Sequence, residues 1–393
     1  MYWGYWNGYE HAATISAGPL GPAGTTVWST YLGLLTGTTC NPPTAGPSGT
    51  GVAAMMGGTP VLYVPGGDNL TNGTSGMESF YALNALTGAI IWKTPIAPLD
   101  SQYFLWASPF LYNGSIYQTV AAFDGYDPGC PDPNGEMVKM DANTGAIQQT
   151  WNASPPGCTG GGMWASQDVD TSDGSIFAVT GDPDGCAAGA EYAPAIVKLN
   201  ASNLSVESSW TIPPPDQGGD DDFGATPVLF TAVINGVQRQ LIGVINKDGM
   251  FFALDRSNLA AGPVWQTRIG YGTGSPLNIV SAAWDGSRLY VGGGGTIING
   301  SFCFESLAAL NPATGGYIWS TCANGEMNSG ITEVPGVVIM GTGAVGNVLF
   351  LDPENGIILN NVPVASAVLG ETTVYNGVVY VPVDNGNVEA LGP

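Results

Sequence analysis

Residues 81–92 read YALNALTGAIIW: an apolar run closing on Asn84, a Thr-Gly turn, and a second apolar run ending in Trp92. The same phrase returns as VKMDANTGAIQQTW (138–151), IVKLNASNLSVESSW (196–210), FFALDRSNLAAGPVW (251–265), LAALNPATGGYIW (307–319), VLFLDPENGIILN (348–360) and, cut short, VEALGP (388–393). Its anchor positions are Asn84, Asp141, Asn200, Asp255, Asn311, Asp352 and Gly392, spaced 57, 59, 55, 56, 41 and 40 residues apart. A recurring period of this size identifies a propeller, a solenoid or an array.

Each phrase is short, rich in Val, Ile, Leu, Phe and Tyr, and broken by Thr-Gly, Asn-Gly or Pro, with no sustained helical period. That pattern predicts strand, tight turn, strand. Upstream of each phrase lies another apolar pair, such as TPVLYV (59–64), GSIFAVTG (174–181) or GVVYVPV (377–383). Each unit therefore holds about four strands, the content of one propeller blade. Trp28, Trp92, Trp151, Trp210, Trp265 and Trp319 fall on the last strand of their units, where they are expected to pack between blades. The sixth phrase has Asn360 in place of Trp, so that blade is expected to pack least well. Trp28 has no phrase before it, and the last phrase has no Trp after it. The simplest closure lets the N-terminal strand around Trp28 complete the last blade. This gives an all-β propeller of seven blades, or eight if residues 35–60 hide a degenerate unit. It also removes open sheet edges.

A chain of 393 residues exceeds the usual size of a single core. A ring of small sheets avoids that limit, so residues 1–393 read as a single β-propeller domain. Charged residues make up 10% of the chain, and 31 acidic residues against 8 basic ones give a net charge of −23. Binding to nucleic-acid backbones, which needs Lys and Arg, is excluded as a function class. So few basic residues limit positive self-repulsion once carboxylates protonate, which fits an acidic habitat. No apolar run of membrane-spanning length is present. Six cysteines and seven Asn-X-Ser/Thr sequons (Asn69, Asn72, Asn113, Asn152, Asn200, Asn203 and Asn299) point to a secreted, disulfide-bonded glycoprotein, extracellular or on the cell surface. Cys303 and Cys322 flank one hairpin and are the expected pair, while Cys40, Cys130, Cys158 and Cys186 can pair in three ways. A single His and the lack of any Cys-x-x-Cys spacing exclude the common zinc motifs.

Placed by the repeat, the unusual loops collect on one rim: FDGYDPGCPDPNGE (123–136), CTGGGMW (158–164), GDPDGCAAGAE (181–191), QGGDDDFG (217–224) and NKDG (246–249). The chain here resembles the PQQ-like β-propeller family, which includes the pyrroloquinoline quinone (PQQ) alcohol dehydrogenases and the polyvinyl alcohol dehydrogenases. GGGMWASQDVDTSDGSIFAVTGDP (160–183) is similar to the segment carrying the family's Trp floor under the quinone and a calcium ligand. The resemblance assigns those roles to Trp164 and Asp182, with Asp in place of the family's Asn. DDDFGATP (220–227) resembles the segment with the catalytic Asp, which falls on Asp222, and NKDGMFFALDR (246–256) resembles the phrase whose Lys contacts the quinone, which falls on Lys247. The resemblance implies PQQ and calcium as cofactors and a small alcohol as substrate. An Asp would take the alcohol proton as hydride leaves, and a Lys would stabilise the resulting negative charge.

The chain departs from the alcohol dehydrogenases in having no adjacent cysteines. Neither Glu136 nor Glu191 aligns securely with the family's calcium-binding Glu. Each site residue also has an ordinary reading: Trp164 as blade packing, Asp220, Asp221 and Asp222 as a turn cluster, Asp182 as a structural ligand, Lys247 as a surface cation. Two functions therefore stand side by side. One is a secreted quinoprotein-type alcohol dehydrogenase. The other is a non-catalytic extracellular propeller, without cofactor, that serves as a surface, matrix or filament-like scaffold through protein, glycan or self-contacts. The aromatic N-terminus (Tyr2, Trp3, Tyr5, Trp6 and Tyr9) leans towards the scaffold.

Overall fold

The computed structural model describes residues 1–36, 44–67, 78–97, 103–122, 134–156, 158–184, 191–213, 221–271, 278–323, 325–326, 328–343 and 346–392. The chain divides into two compact units, residues 1–194 with 199–207 and residues 195–198 with 208–393, and each is taken by itself.

The described residues form an all-β propeller of eight blades, not the seven expected first but the eight allowed as the alternative. The first blade is the three strands Tyr2–Tyr5, Tyr9–Ala13 and Thr26–Tyr31. Blades two to seven are built around sheets of four strands, beginning at Val52, Phe110, Asp168, Val228, Ala283 and Ile331, and the third gains a further short strand, Tyr103–Phe104. The eighth is the three strands Thr373–Tyr375, Val378–Pro382 and Val388–Leu391.

Two expectations are thereby corrected. The strand of Trp28 does not complete the last blade, because it pairs with Tyr9–Ala13 in a sheet of its own. Nor is the extra unit hidden at residues 35–60. There Leu35–Thr36 and Thr44–Ala45 form a small ribbon, and Val52 already opens the second blade.

The repeat phrase has a local physical basis. The anchor carboxylate or amide accepts backbone N–H groups two or three residues on. Asn84 Oδ1 takes those of Leu86 and Thr87 at 3.0 and 3.1 Å, and Asp141 Oδ1 takes those of Asn143 and Thr144, both at 2.9 Å. This is the Asx turn, which explains why only Asn or Asp anchors a full phrase. The glycine that follows, Gly88, Gly145, Gly315 or Gly356, has φ between 69° and 73°. That conformation favours glycine.

Contacts between blades use the same residues. The indole N–H groups of Trp28, Trp92, Trp265 and Trp319 donate to the carbonyls of Ala85, Ala142, Pro312 and Pro353 at 3.1, 3.2, 2.9 and 2.9 Å. Each acceptor directly follows the anchor of the next blade. Two residues beyond each Trp, Thr30, Thr94, Thr267 and Thr321 donate to the carbonyls of Gly88, Gly145, Gly315 and Gly356. A Cβ on any of those glycines would come within 3 Å of the indole lying on it. Tyr63, Phe80, Ile116, Val138 and Met140 fill the space between the second and third blades. The seventh and eighth pack instead through Val348, Val368, Val379 and Val381, so valines replace the missing Trp at Asn360, whose side chain is exposed.

The third blade breaks the pattern. Trp92 stands opposite Ala82, but Trp151 stands opposite Met137, leaving Gln149 opposite Lys139. Trp151 lies against Tyr192, with ring centroids 5.7 Å apart. The next turn carries buried Leu204 at φ 53° where the phrases anchored at Asn84, Asp141, Asn311 and Asp352 have glycine. The Tyr117 hydroxyl and the Lys139 ammonium donate to the carbonyls of Ala201 and Ser202, at 2.6 and 2.7 Å.

Candidate functional site

Asp222 lies in the link leading into the strand Val228–Ile234, and Lys247 lies in the turn between Val237–Ile245 and Met250–Asp255. The fifth blade brings them together twice. The Lys247 backbone N–H donates to the Asp222 carbonyl at 3.0 Å, and Lys247 Nζ stands 2.7 Å from Asp222 Oδ1. Only 10% of the Asp222 side chain and 18% of the Lys247 side chain reach solvent. With so little water nearby, each charge depends on the other.

The turn that presents Lys247 is closed by its own residues. Asn246 Oδ1 accepts the Met250 N–H at 3.0 Å, and Gly249 turns the chain with φ 91°. Asn278, fully buried, donates to the Lys247 carbonyl at 2.9 Å and accepts the Gly294 N–H at 2.9 Å. A side chain on Gly270 or Gly293 would collide with Asn278 Oδ1 or crowd it. Arg268 Nη1 holds both the carboxylate and the carbonyl of Asp248, at 2.7 and 2.6 Å, and its guanidinium lies 5.3 Å from the centre of the Tyr271 ring. Arg268 is thus fixed to the residue that follows Lys247. Neither Arg268 nor Asn278 was singled out in the sequence. Each comes from a separate strand or link, and no local pattern marks them.

Trp164 and Asp182 belong to the other unit. Trp164 is half-buried and packs on Phe104 and Ala121 beside Trp106. Trp106 stacks on Phe104 with centroids 4.8 Å apart. Trp106 was also missed, although Trp106-Ala107-Ser108 repeats Trp164-Ala165-Ser166. The two serines have matching roles: Ser108 Oγ accepts the Thr50 N–H at 3.0 Å, and Ser166 Oγ accepts the Ser108 N–H at 2.9 Å. Asp182 is half-buried beside the short pair Thr159–Gly160 and Pro183–Asp184, and its carbonyl accepts the Gly161 N–H at 2.7 Å. Asp221 is buried, and Asp220 lies outside the described residues. Glu136 is half-buried, and burial raises its carboxyl above the ordinary value. Glu191 is exposed. Among the described residues, no three His, Cys, Asp or Glu side chains are grouped so as to hold a metal.

Cys303 and Cys322 form a disulfide, with Cα atoms 5.6 Å apart, that ties the hairpin Leu289–Ile298/Ser301–Leu310 to the strand Tyr317–Ala323. Cys158 is also disulfide-bonded. Cys40, Cys130 and Cys186 lie outside the described residues, as do Asn69 and Asn72.

Residues 304–392 match the family model described as outer membrane protein assembly factor BamB (PQQ_2). Among solved structures, the chain is similar to the quinohemoprotein alcohol dehydrogenase ADHIIG from Pseudomonas putida HK5, with a TM-score of 0.69 and 16% identity over 95% of this chain and 68% of that one. The quinohemoprotein alcohol dehydrogenase of Comamonas testosteroni gives a TM-score of 0.66 and 16% identity over 97% of this chain and 72% of that one. BamB from Moraxella catarrhalis gives 0.59 and 15% identity over 100% and 91%. No curated protein matches the chain in sequence. The resemblance to PQQ-like propellers thus holds in the repeat and in the fold.

Proposed function

We propose that the chain is a secreted or cell-surface PQQ-like propeller, one domain over residues 1–393, with the working pair of a quinoprotein-type alcohol dehydrogenase at Asp222 and Lys247. The observation that carries this is the buried 2.7 Å contact between them. Their roles are those the family resemblance implies, and that geometry is compatible with them. Asp222 accepts the hydroxyl proton of a small alcohol. Lys247, an ammonium beside it, stabilises negative charge developing next to it. Asn278 and Asn246 hold the backbone of the turn so that the ammonium stays in place. PQQ, when bound, supplies the hydride acceptor. Lys247 suits a quinone oxygen. Calcium fits less well, because no donor set of three is assembled among the described residues, and no step is routed through it. The disulfide of Cys303 and Cys322 supports an oxidising compartment.

The test is to incubate the protein with PQQ, with and without calcium, remove the excess, and measure retained quinone absorbance and dye-linked oxidation of short alcohols. Retention and turnover that disappear in Asp222→Asn and Lys247→Ala support the enzyme. Absence of retention in the intact protein refutes it. A second reading then stands, a scaffold with protein, glycan or self-contacts. It is favoured by the match of residues 304–392 to an assembly-factor model and by the apolar hairpin that precedes and enters this region.

A further inference from the structure

The strands Leu289–Ile298 and Ser301–Leu310 are ten residues each, among the longest in the chain, and their hairpin runs past the point where Tyr317–Ala323 stops pairing with it. On this projecting part Ile297 and Phe302 face each other across the two strands. They are 66% and 65% exposed, and Phe304, on the same face by strand alternation, is 42% exposed. Three large apolar side chains on a projecting ribbon are a liability in water unless something covers them. The turn at its tip is Asn299-Gly300, with φ of 51° and 81°, followed by Ser301, and these three residues form a glycosylation sequon.

The described sequons differ sharply in whether all three residues are accessible. In Asn113-Gly114-Ser115 the serine is buried and donates to Gln148 Oε1 at 3.0 Å. In Asn152-Ala153-Ser154 both following residues are buried, and Ser154 Oγ donates to the Gly160 carbonyl at 3.2 Å. Asn200 donates its amide to Glu207 at 2.8 Å and uses its Oδ1 to hold Ser202, with Ala201 buried between them. Asn203 folds its Oδ1 onto the Ser205 N–H at 3.0 Å, and the central Leu204 is buried. Asn299, Gly300 and Ser301 are all exposed, and a Cβ built on Gly300 would meet nothing within 4 Å.

We infer that Asn299 is the N-glycosylated residue among these five, and that its glycan covers the apolar face of Ile297, Phe302 and Phe304. In the attachment step, the anomeric carbon of a lipid-phosphate-linked oligosaccharide bonds to Asn299 Nδ2. Its bond to the phosphate oxygen breaks, and the amide loses one proton as the lipid phosphate leaves. The inference rests on the secreted placement proposed above and is independent of any catalysis.

The experiment is peptide mass spectrometry of the protein isolated from its native source, with culture medium and surface fraction separated from cytoplasm. The expected result is glycan mass on the peptide containing Asn299, and unmodified Asn113, Asn152, Asn200 and Asn203. Asn299→Gln and Ser301→Ala should each lose that mass and gain several-fold in fluorescence of an apolar surface dye, while Ser301→Thr keeps both at the native level. Protein recovered outside the cell with bare Asn299 overturns the inference and leaves the secreted placement intact. Recovery only from the cytoplasm overturns both. A glycan at Asn299 whose loss does not change dye binding overturns the covering role.

Discussion

Raising the pH from 5 to 8 should destabilise this protein, and two buried glutamates set the size of the effect. Glu10 is 1% exposed, with no hydrogen-bond partner for either carboxyl oxygen among the described residues, and Glu78 is 4% exposed and accepts the Leu105 N–H. Burial pushes both carboxyls up from 4.5 to about 8, in Glu78 against the opposing pull of that N–H. Between these two values the folded chain keeps both protons while the unfolded chain releases them. The stabilisation is therefore complete below pH 4.5 and is lost as pH rises to about 8. Each group contributes a slope of about 1.4 kcal/mol per pH unit, so together they remove about 5 kcal/mol between pH 5 and pH 7. Urea unfolding followed by tryptophan fluorescence at pH 5, 6, 7 and 8 measures this directly. Glu10→Gln with Glu78→Gln keeps the neutral shape without the titration, and should flatten the profile in that range. Stability that is level or rising from pH 5 to pH 7 in the native chain would refute the reasoning, as would a double variant with the slope intact. The expected profile agrees with the acidic habitat inferred from the scarcity of basic residues.

Gly145→Ala forces a methyl group into the Trp92 ring and strains a φ of 73°, whereas Gly114→Ala, at φ 75°, meets open space. The first should cost about 2 to 4 kcal/mol and the second about 1, compared by urea midpoint. Asp222→Ala leaves the Lys247 ammonium buried without its carboxylate and should cost about 3 to 5 kcal/mol, while Asp222→Leu with Lys247→Met recovers most of that loss in thermal unfolding. Removing the disulfide by Cys303→Ser with Cys322→Ser opens a loop with a sequence separation of 19 and should cost about 3 kcal/mol, read as a lowered unfolding midpoint under non-reducing conditions.

What could be read from the chain alone follows from the range of the forces involved. The anchor, turn and Trp of each phrase are bound by contacts a few residues apart, so the period and the blade content were legible. The first blade was not, because Tyr9–Ala13 and Thr26–Tyr31 are joined without an Asn or Asp anchor or a Thr-Gly turn. Its membership shows only in pairing: Trp28 stands opposite Ala12 with a register shift beside it, as Trp92 stands opposite Ala82. The pairing of Asp222 with Lys247 was reachable through resemblance to a known arrangement. Arg268, Asn278 and Trp106 were not, since each enters through packing between elements far apart in the chain. The pair Cys303 and Cys322 was legible because the two residues flank one hairpin.

The displaced Trp151 and the buried Leu204 bear on how such a chain can diverge. A glycine and an indole in adjacent blades fit as lock and key, so the glycine cannot be exchanged while the indole stays. Replacing the glycine first would strike the ring, and a large side chain becomes tolerable there only after the ring has shifted along its strand. Inherited change at these joints is therefore ordered in time, tryptophan before glycine, and a blade transplanted from elsewhere in the chain would bring the wrong half of the joint to its neighbour.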